Sequence, residues 1–205
     1  MAPKYKLTYF NLKGICEPIR FLLEILEADY EEVRMEFGDW PAKKAETPFG
    51  KVPLLEVDGK LMHQSLAIER YLGRLAGLTG ADAWEDAQID IMADTITDFR
   101  VPIPMYMWEP NEELKNTRKA TFVKETLPFF LKKFDNIVKE NGGYLANKKL
   151  SWADILFAAL TEYVSYAVDV QDVTDGYPNL KALRDKVYSL PQIKKYLAKR
   201  PQTTF

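Results

Sequence analysis

Residues Pro48–Leu72, PFGKVPLLEVDGKLMHQSLAIERYL, read as a strand, a tight turn, a second strand and a helix. Leu55 and Val57 alternate with Leu54 and Glu56, the period of a strand. Asp58-Gly59 is a two-residue hairpin signal, because a type I′ turn needs positive φ at both central positions and these residues tolerate it. Leu61 and Met62 carry the return strand. Ser65 is expected to cap the helix through its hydroxyl. Ile68, Tyr71, Leu72 and Leu75 fall on one helix face, and Gly73 and Gly77 loosen and end it. Two features exceed a plain hairpin. Pro53 removes a ladder donor at the start of its strand, and Val52-Pro53 is expected to be cis. Gln64-Ser65 aim an amide, a hydroxyl and helix N–H groups at one point. This is either a helix cap beside a turn proline or an anion site suited to a carboxylate.

Upstream, Tyr5, Leu7 and Tyr9 alternate with Lys4, Lys6 and Thr8, a first strand ending at Tyr9-Phe10. Glu17-Pro18 open a helix, since proline is tolerated in the first turn and an acid suits the positive dipole end. Ile19, Leu22, Leu23 and Leu26 give it an apolar stripe. Val33, Met35 and Phe37 mark a second strand, followed by an irregular connector from Gly38 to Thr47. The order β-α-β then β-β-α predicts a thioredoxin-like domain over residues 1–79.

Past Gly80 every periodic segment is helical, which predicts an all-α bundle over 82–205. Trp84, Gln88, Ile91, Ile96 and Phe99 trace a long helix that Pro102 and Pro104 must kink or end. A second helix is expected from about Asn116 to Asn141, with Phe130, Phe134, Ile137 and Val138 inward and a bend at Pro128. Leu150-Ser151-Trp152-Ala153-Asp154-Ile155 is a helix start: Ser151 caps, Asp154 caps in return, and Leu150 can staple to Ile155. Pro178 and Pro191 each open a further helix.

Composition narrows the class. The chain has 205 residues, 47% of them hydrophobic, and a formal net charge of −2. That supports a substantial core and offers no basic footprint for nucleic acid or an anionic membrane. One cysteine and one histidine exclude a disulfide within the chain, a CxxC pair and a two-histidine zinc motif. The N-terminus has no apolar signal core, and no segment is long enough to span a bilayer. A cytoplasmic location is the expectation.

Several motifs together resemble a cytosolic glutathione S-transferase, most closely the sigma class, which includes haematopoietic prostaglandin D synthase and arthropod enzymes. They are KLTYFNLKG at Lys6–Gly14, DWP at Asp39–Pro41, PFGKVPLLEVDG at Pro48–Gly59, HQSLAIERYLG at His63–Gly73, DTITDF at Asp94–Phe99, LSWAD at Leu150–Asp154 and the C-terminal LPQIKKYLAKRPQT. The resemblance implies a homodimer that uses glutathione as co-substrate. It also implies a tyrosine-stabilised thiolate that conjugates hydrophobic electrophiles such as xenobiotics and lipid-peroxidation products.

The resemblance assigns roles. A thiol near neutral pH is mostly protonated, and a donor aimed at the sulfur favours the thiolate. Tyr9 occupies the family's catalytic position. Phe10, Trp40, Lys44, Val52, Pro53, Gln64 and Ser65 match the glutathione site. Val52 would pair through its backbone with the cysteinyl part, and Gln64 and Ser65 would hold the γ-glutamyl carboxylate. Trp40 and Lys44 would hold the glycyl end. Asp98 would reach the glutathione of the partner subunit. Lys13, Ile15, Arg100, Pro104, Met107 and Phe205 are expected to line the electrophile pocket beside Phe10.

Three departures qualify it. Ile15 stands where vertebrate sigma enzymes carry an arginine near the catalytic tyrosine, so a cation that would help Tyr9 is expected to be missing. Asp94, Thr97 and Asp98 replace three clustered aspartates, which predicts no metal site. Pro102 and Pro104 together imply a reshaped pocket. Cys16 at the first helix start allows either a nucleophilic thiol or a packed core residue. His63 is read as structural. Beside conjugation stand two other functions: glutathione-dependent isomerisation of the prostaglandin D synthase type, and a non-enzymatic ligand-binding or crystallin-like role.

Overall fold

The computed structural model describes residues 3–204. The chain divides into two compact units, one running to Gly77 and resuming at Leu190, the other Leu78–Ser189.

The first unit is built on a four-stranded mixed sheet. Its strands are β1 (Tyr5–Phe10), β2 (Tyr30–Met35), β3 (Leu54–Val57) and β4 (Lys60–His63), in the order β2-β1-β3-β4. β1 pairs with β2 in parallel, and the other pairs are antiparallel. The expected hairpin is present, with Asp58 at φ 49° and Gly59 at φ 78°. The parallel pair is joined by α1 (Glu17–Ile25). A short helix, α2 (Trp40–Lys43), interrupts the connector, and α3 (Ser65–Leu75) follows β4. α1 packs against α3. Tyr5, Leu7 and Tyr9 are buried on one side of β1 and join the fully buried Ile19, Leu22, Leu23, Leu55, Ile68 and Leu72. Each such aliphatic side chain contributes about 1.5–3 kcal/mol.

Several local expectations shift. The helix stripe on α3 stops short of its end: Leu75 is exposed. Gln64, not Ser65, is the N-cap of α3, and Ser65 is its first helical residue. Phe37 leaves β2 for a short 3-10 turn. α1 buries Arg20 completely, a residue that its apolar stripe does not include.

The expected boundary assigns everything from 82 to 205 to the helical domain. The contacts instead return the last described helix, α10 (Pro191–Lys199), to the first unit, where it packs on α1. The physical reason is specific. Tyr196 meets Phe21 edge to face with centroids 5.8 Å apart, and Arg200 donates to Glu17 at 2.7 Å.

Among its described residues the second unit contains helices joined by turns and loops and no strand. It comprises α4 (Ala83–Arg100), α5 (Pro102–Met107), α6 (Glu112–Thr121), α7 (Leu127–Glu140), α8 (Trp152–Ala167) and α9 (Pro178–Tyr188). α8 is buried along nearly all of its length and contacts α4, α5 and α9. Its start is the expected capping box: Asp154 accepts from the Ser151 N–H at 2.7 Å and the Ser151 hydroxyl at 2.9 Å. α4 is the expected long helix, but Trp84 and Ile91 are exposed and its buried face is Ile89, Met92, Ala93, Ile96 and Phe99. The helix expected from Asn116 begins earlier, capped by Asn111, whose side chain accepts from Leu114 N–H. Phe122–Thr126 form a π-helical turn between α6 and α7. Pro128 explains it: without an N–H, and with its ring crowding the preceding turn, it favours a widened turn there.

Candidate functional site

Strand register brings the motif residues of the first unit to one end of the sheet. Thr8 of β1 pairs with Leu54 of β3, and Leu54 pairs with His63 of β4. Both pairings are antiparallel, so Tyr9, Pro53 and Gln64 each stand one residue beyond that row, side by side. Adjacent strands lie about 4.8 Å apart, so the end of the sheet from Tyr9 to Gln64 spans about 10 Å. An extended tripeptide covers about the same length.

Tyr9 is buried at the β1 end of this row. Phe10, next in sequence, stacks on Phe37 with centroids 4.7 Å apart and meets Trp40 edge to face at 5.3 Å. α2 begins at Trp40, so this aromatic cluster fixes the connector beside the strand. Gly14 closes over the tyrosine: a Cβ built on it would lie 3.0 Å from the Tyr9 hydroxyl and 2.7 Å from Leu12 Cδ1. Its φ of +47° also favours glycine. Lys13 and Ile15 flank it, both half-buried.

A cation does lie near Tyr9, contrary to the expectation drawn from Ile15. The Arg20 guanidinium sits over the Tyr9 ring, Cζ 6.0 Å from the centroid. Its pKa is raised. Burial works against the charge, but the neighbouring carboxylates of Glu17 and Glu32 offset it. Sequence reasoning missed Arg20 because an arginine on an amphipathic helix normally faces water. The available signal was Glu17, three residues earlier on the same helix face.

At the other end, the Val52-Pro53 peptide is cis as expected. Lys44 is exposed, and its side chain passes Gly50, whose hypothetical Cβ would lie 3.1 Å from Lys44 Cε. Gln64 adopts φ 72°, a conformation that non-glycine residues hold at a cost of about 1–3 kcal/mol. α3 starts without a side-chain cap, so its first-turn N–H groups face the Gln64-Ser65 corner uncapped. An uncapped helix start with a strained residue before it suits an anion.

Cys16 is fully buried, and desolvation pushes its thiol up to about 12 against the pull of Arg20. This favours the packed reading over a nucleophile. His63 is half-buried and packs on Phe49, centroids 5.1 Å apart.

Asp98, Arg100, Pro104 and Met107 lie in the second unit. Asp98 is exposed on α4, as is Asp94, while the Thr97 hydroxyl donates to the Ala93 carbonyl at 3.1 Å. Among the described residues there is no group of three acids, histidines or cysteines able to hold a metal. Arg100 borders a small apolar void with Phe157, Leu160 and Val164. Pro104 and Met107 are half-buried on α5. Phe205 lies outside the described residues. A cleft of about 580 Å³ opens elsewhere in the first unit, between the end of α1, β2 and α10, and no residue of the Tyr9–Gln64 row lines it.

Comparison with known proteins bears on the whole chain. Residues 5–74 match the family "Glutathione S-transferase, N-terminal domain", and residues 97–200 match "Glutathione S-transferase, C-terminal domain". Glutathione S-transferase S1 of Drosophila melanogaster is 45% identical over 199 residues, covering 97% of this chain and 80% of the relative. Hematopoietic prostaglandin D synthase of Gallus gallus is 42% identical, covering 98% of each chain. Among solved structures, prostaglandin synthase D of Nilaparvata lugens is 48% identical with a TM-score of 0.94, over 98% of this chain and 100% of that one.

Proposed function

This chain belongs to the glutathione S-transferase family, and on that premise we propose that it is a glutathione transferase of the sigma class. It binds reduced glutathione along the Tyr9–Pro53–Gln64 end of the sheet and adds its sulfur to hydrophobic electrophiles. The observation that carries this reading is the register: three motif residues far apart in sequence share one sheet end of tripeptide length.

The chemistry follows from the row. The Tyr9 hydroxyl donates to the glutathione sulfur and favours the thiolate over the thiol, whose proton passes to solvent. The thiolate forms a bond to the electrophilic carbon, and a leaving group departs or, in an addition, the neighbouring atom takes up a proton. Val52 holds the cysteinyl part through its backbone, beside Pro53. Gln64, Ser65 and the N–H groups of α3 hold the γ-glutamyl carboxylate. Trp40, supported by Phe10, and Lys44 hold the glycyl carboxylate. Asp98 of the partner subunit completes the site in a homodimer. The family resemblance assigns the electrophile to Lys13 and Ile15 of the first unit and to Arg100, Pro104 and Met107 of the second. Exposed Phe49 and Trp84, 71% and 74% accessible, supply apolar surface that an association would cover. Among the described residues no helix is long and apolar enough to cross a membrane; the cytoplasmic location is part of the proposal and rests on the family resemblance.

The test is Tyr9→Phe. Conjugation of glutathione to a chloronitrobenzene should fall about 10²-fold in kcat, with glutathione affinity nearly unchanged. Full activity in that variant would sink the mechanism. Sedimentation at the mass of a single chain would remove the dimer and the role of Asp98 together. The second reading is isomerisation of a prostaglandin endoperoxide, favoured by the relatives that bear that name. It returns glutathione unchanged, so product analysis separates it from conjugation.

A further inference from the structure

Beneath Tyr9 runs a chain of buried charge that the catalytic reading leaves without a task. Arg20 is 0% exposed and Glu17 1%. The Arg20 guanidinium donates from Nε to Glu32 at 2.6 Å, and from Nη1 to Glu17 at 2.9 Å and to the carbonyls of Leu12 at 2.9 Å and Lys13 at 3.4 Å. Glu17 also accepts from the Tyr196 hydroxyl at 3.3 Å and from Arg200 at 2.7 Å. Glu32 is shared with Arg34, which pairs in register with Tyr9 on the neighbouring strand. Arg20 Nη2 has no hydrogen-bond partner among the described residues. The electron-rich group beside the guanidinium is the Tyr9 ring, at 6.0 Å.

Two of these bonds bear on the reaction. The Leu12 and Lys13 carbonyls belong to the turn that carries Gly14, and Gly14 approaches the Tyr9 hydroxyl with no space for a side chain. Arg20 therefore holds both the turn over the hydroxyl and a positive charge beside the ring. A scaffold needs neither. A buried ion pair is weak evidence for stability, and an apolar replacement often serves as well.

We propose that Arg20 is a positioning residue for thiol activation: anchored by Glu17 and Glu32, it fixes the Leu12–Gly14 turn against the Tyr9 hydroxyl and sets a permanent positive charge beside the Tyr9 ring. The proposal rests on the reading of Tyr9 as the donor to the glutathione sulfur. The charged and titratable groups around Arg20 include Tyr9 from β1, Cys16 and Glu17 from the α1 start, Tyr30, Glu32 and Arg34 from β2, and Tyr196 and Arg200 from the C-terminal segment.

The test follows the thiolate of bound glutathione by its ultraviolet difference absorbance as a function of pH. Arg20→Gln, which removes the charge, should raise the titration midpoint by about one unit. It should lower kcat at neutral pH about 10-fold, with activity recovering at high pH and glutathione KM within about twofold. Arg20→Lys, which keeps the charge, should restore part of the shift. Glu32→Gln keeps an acceptor for Arg20 while removing a negative charge, so its midpoint should fall. It also keeps the test decisive where Arg20→Gln does not fold. A folded Arg20→Gln protein with the wild-type midpoint overturns the proposal even if its melting temperature drops. So does a Glu32→Gln midpoint that stays or rises. Tyr9→Phe is run in parallel. If it leaves the midpoint unmoved, the Tyr9 reading fails and takes this proposal with it. If it raises the midpoint while the Arg20 and Glu32 variants do not shift theirs as stated, this proposal alone fails.

Discussion

Gly14 and Tyr9 are in contact at a position where one added carbon matters. At φ +47°, and with a hypothetical Cβ 3.0 Å from the hydroxyl, Gly14→Ala should strain the turn and push on the ring. The expected loss is about 1–3 kcal/mol in urea unfolding, with a larger proportional fall in conjugation rate than the folded fraction explains. Cys16 gives the opposite kind of test, for inertness. Buried, with its thiol pushed up to about 12, it should be silent to a disulfide reagent in the native protein and react once per chain after unfolding. Rapid reaction in the native state would reinstate it as a nucleophile. Legibility at this scale depends on how local the cause is. Tyr9 could be read because the strand period places it at an end. Arg20 could not. Its burial depends on Glu32, twelve residues away, and on carbonyls of a turn that periodicity does not describe.

Elements follow the same rule. The α8 start was legible in four letters, since Ser151 and Asp154 satisfy each other across one turn. Asp154 does more than the motif implies: it also accepts from Leu145 N–H at 2.8 Å, pinning the preceding loop. Asp154→Ala would strand donors in a buried site and should cost about 2–4 kcal/mol, read as a lower urea midpoint at unchanged slope. The hairpin was equally legible, because Asp58-Gly59 carries its turn type in its own conformational tolerance. The π-helical turn was not. A proline announces a bend, but whether the helix breaks, kinks or widens depends on what packs around it, here Phe122 among Phe99 and Tyr106. The α3 cap failed for a related reason: Ser65 has the better chemistry, yet the chain spends a left-handed conformation on Gln64.

At the scale of the whole molecule, the change from mixed to purely helical periodicity near Gly80 marked the division into units, while the destination of the last helix was hidden. Pro191, Ile193 and Leu197 predict an amphipathic helix without saying which surface it covers. Its partners, Phe21 and Glu17, lie at the far end of the sequence. A chain ending at Ser189 should therefore lose more than a helix. The first unit should lose its cooperative unfolding transition and the protein its glutathione binding, measured by calorimetry and affinity retention. Retention of both would show that the C-terminal helix is dispensable.

The Glu17–Arg200 pair, separated by 183 positions, has a further consequence for biosynthesis. Domains generally fold as they emerge, the first one first. Here one unit waits for residues made after the other, while the unit between them can complete itself sooner. Until the ribosome delivers Tyr196 and Arg200, the nascent chain carries an acid without two of its partners and an uncovered Phe21, a surface for chaperones to guard. The order of synthesis and the order of completion run in opposite directions along this polypeptide.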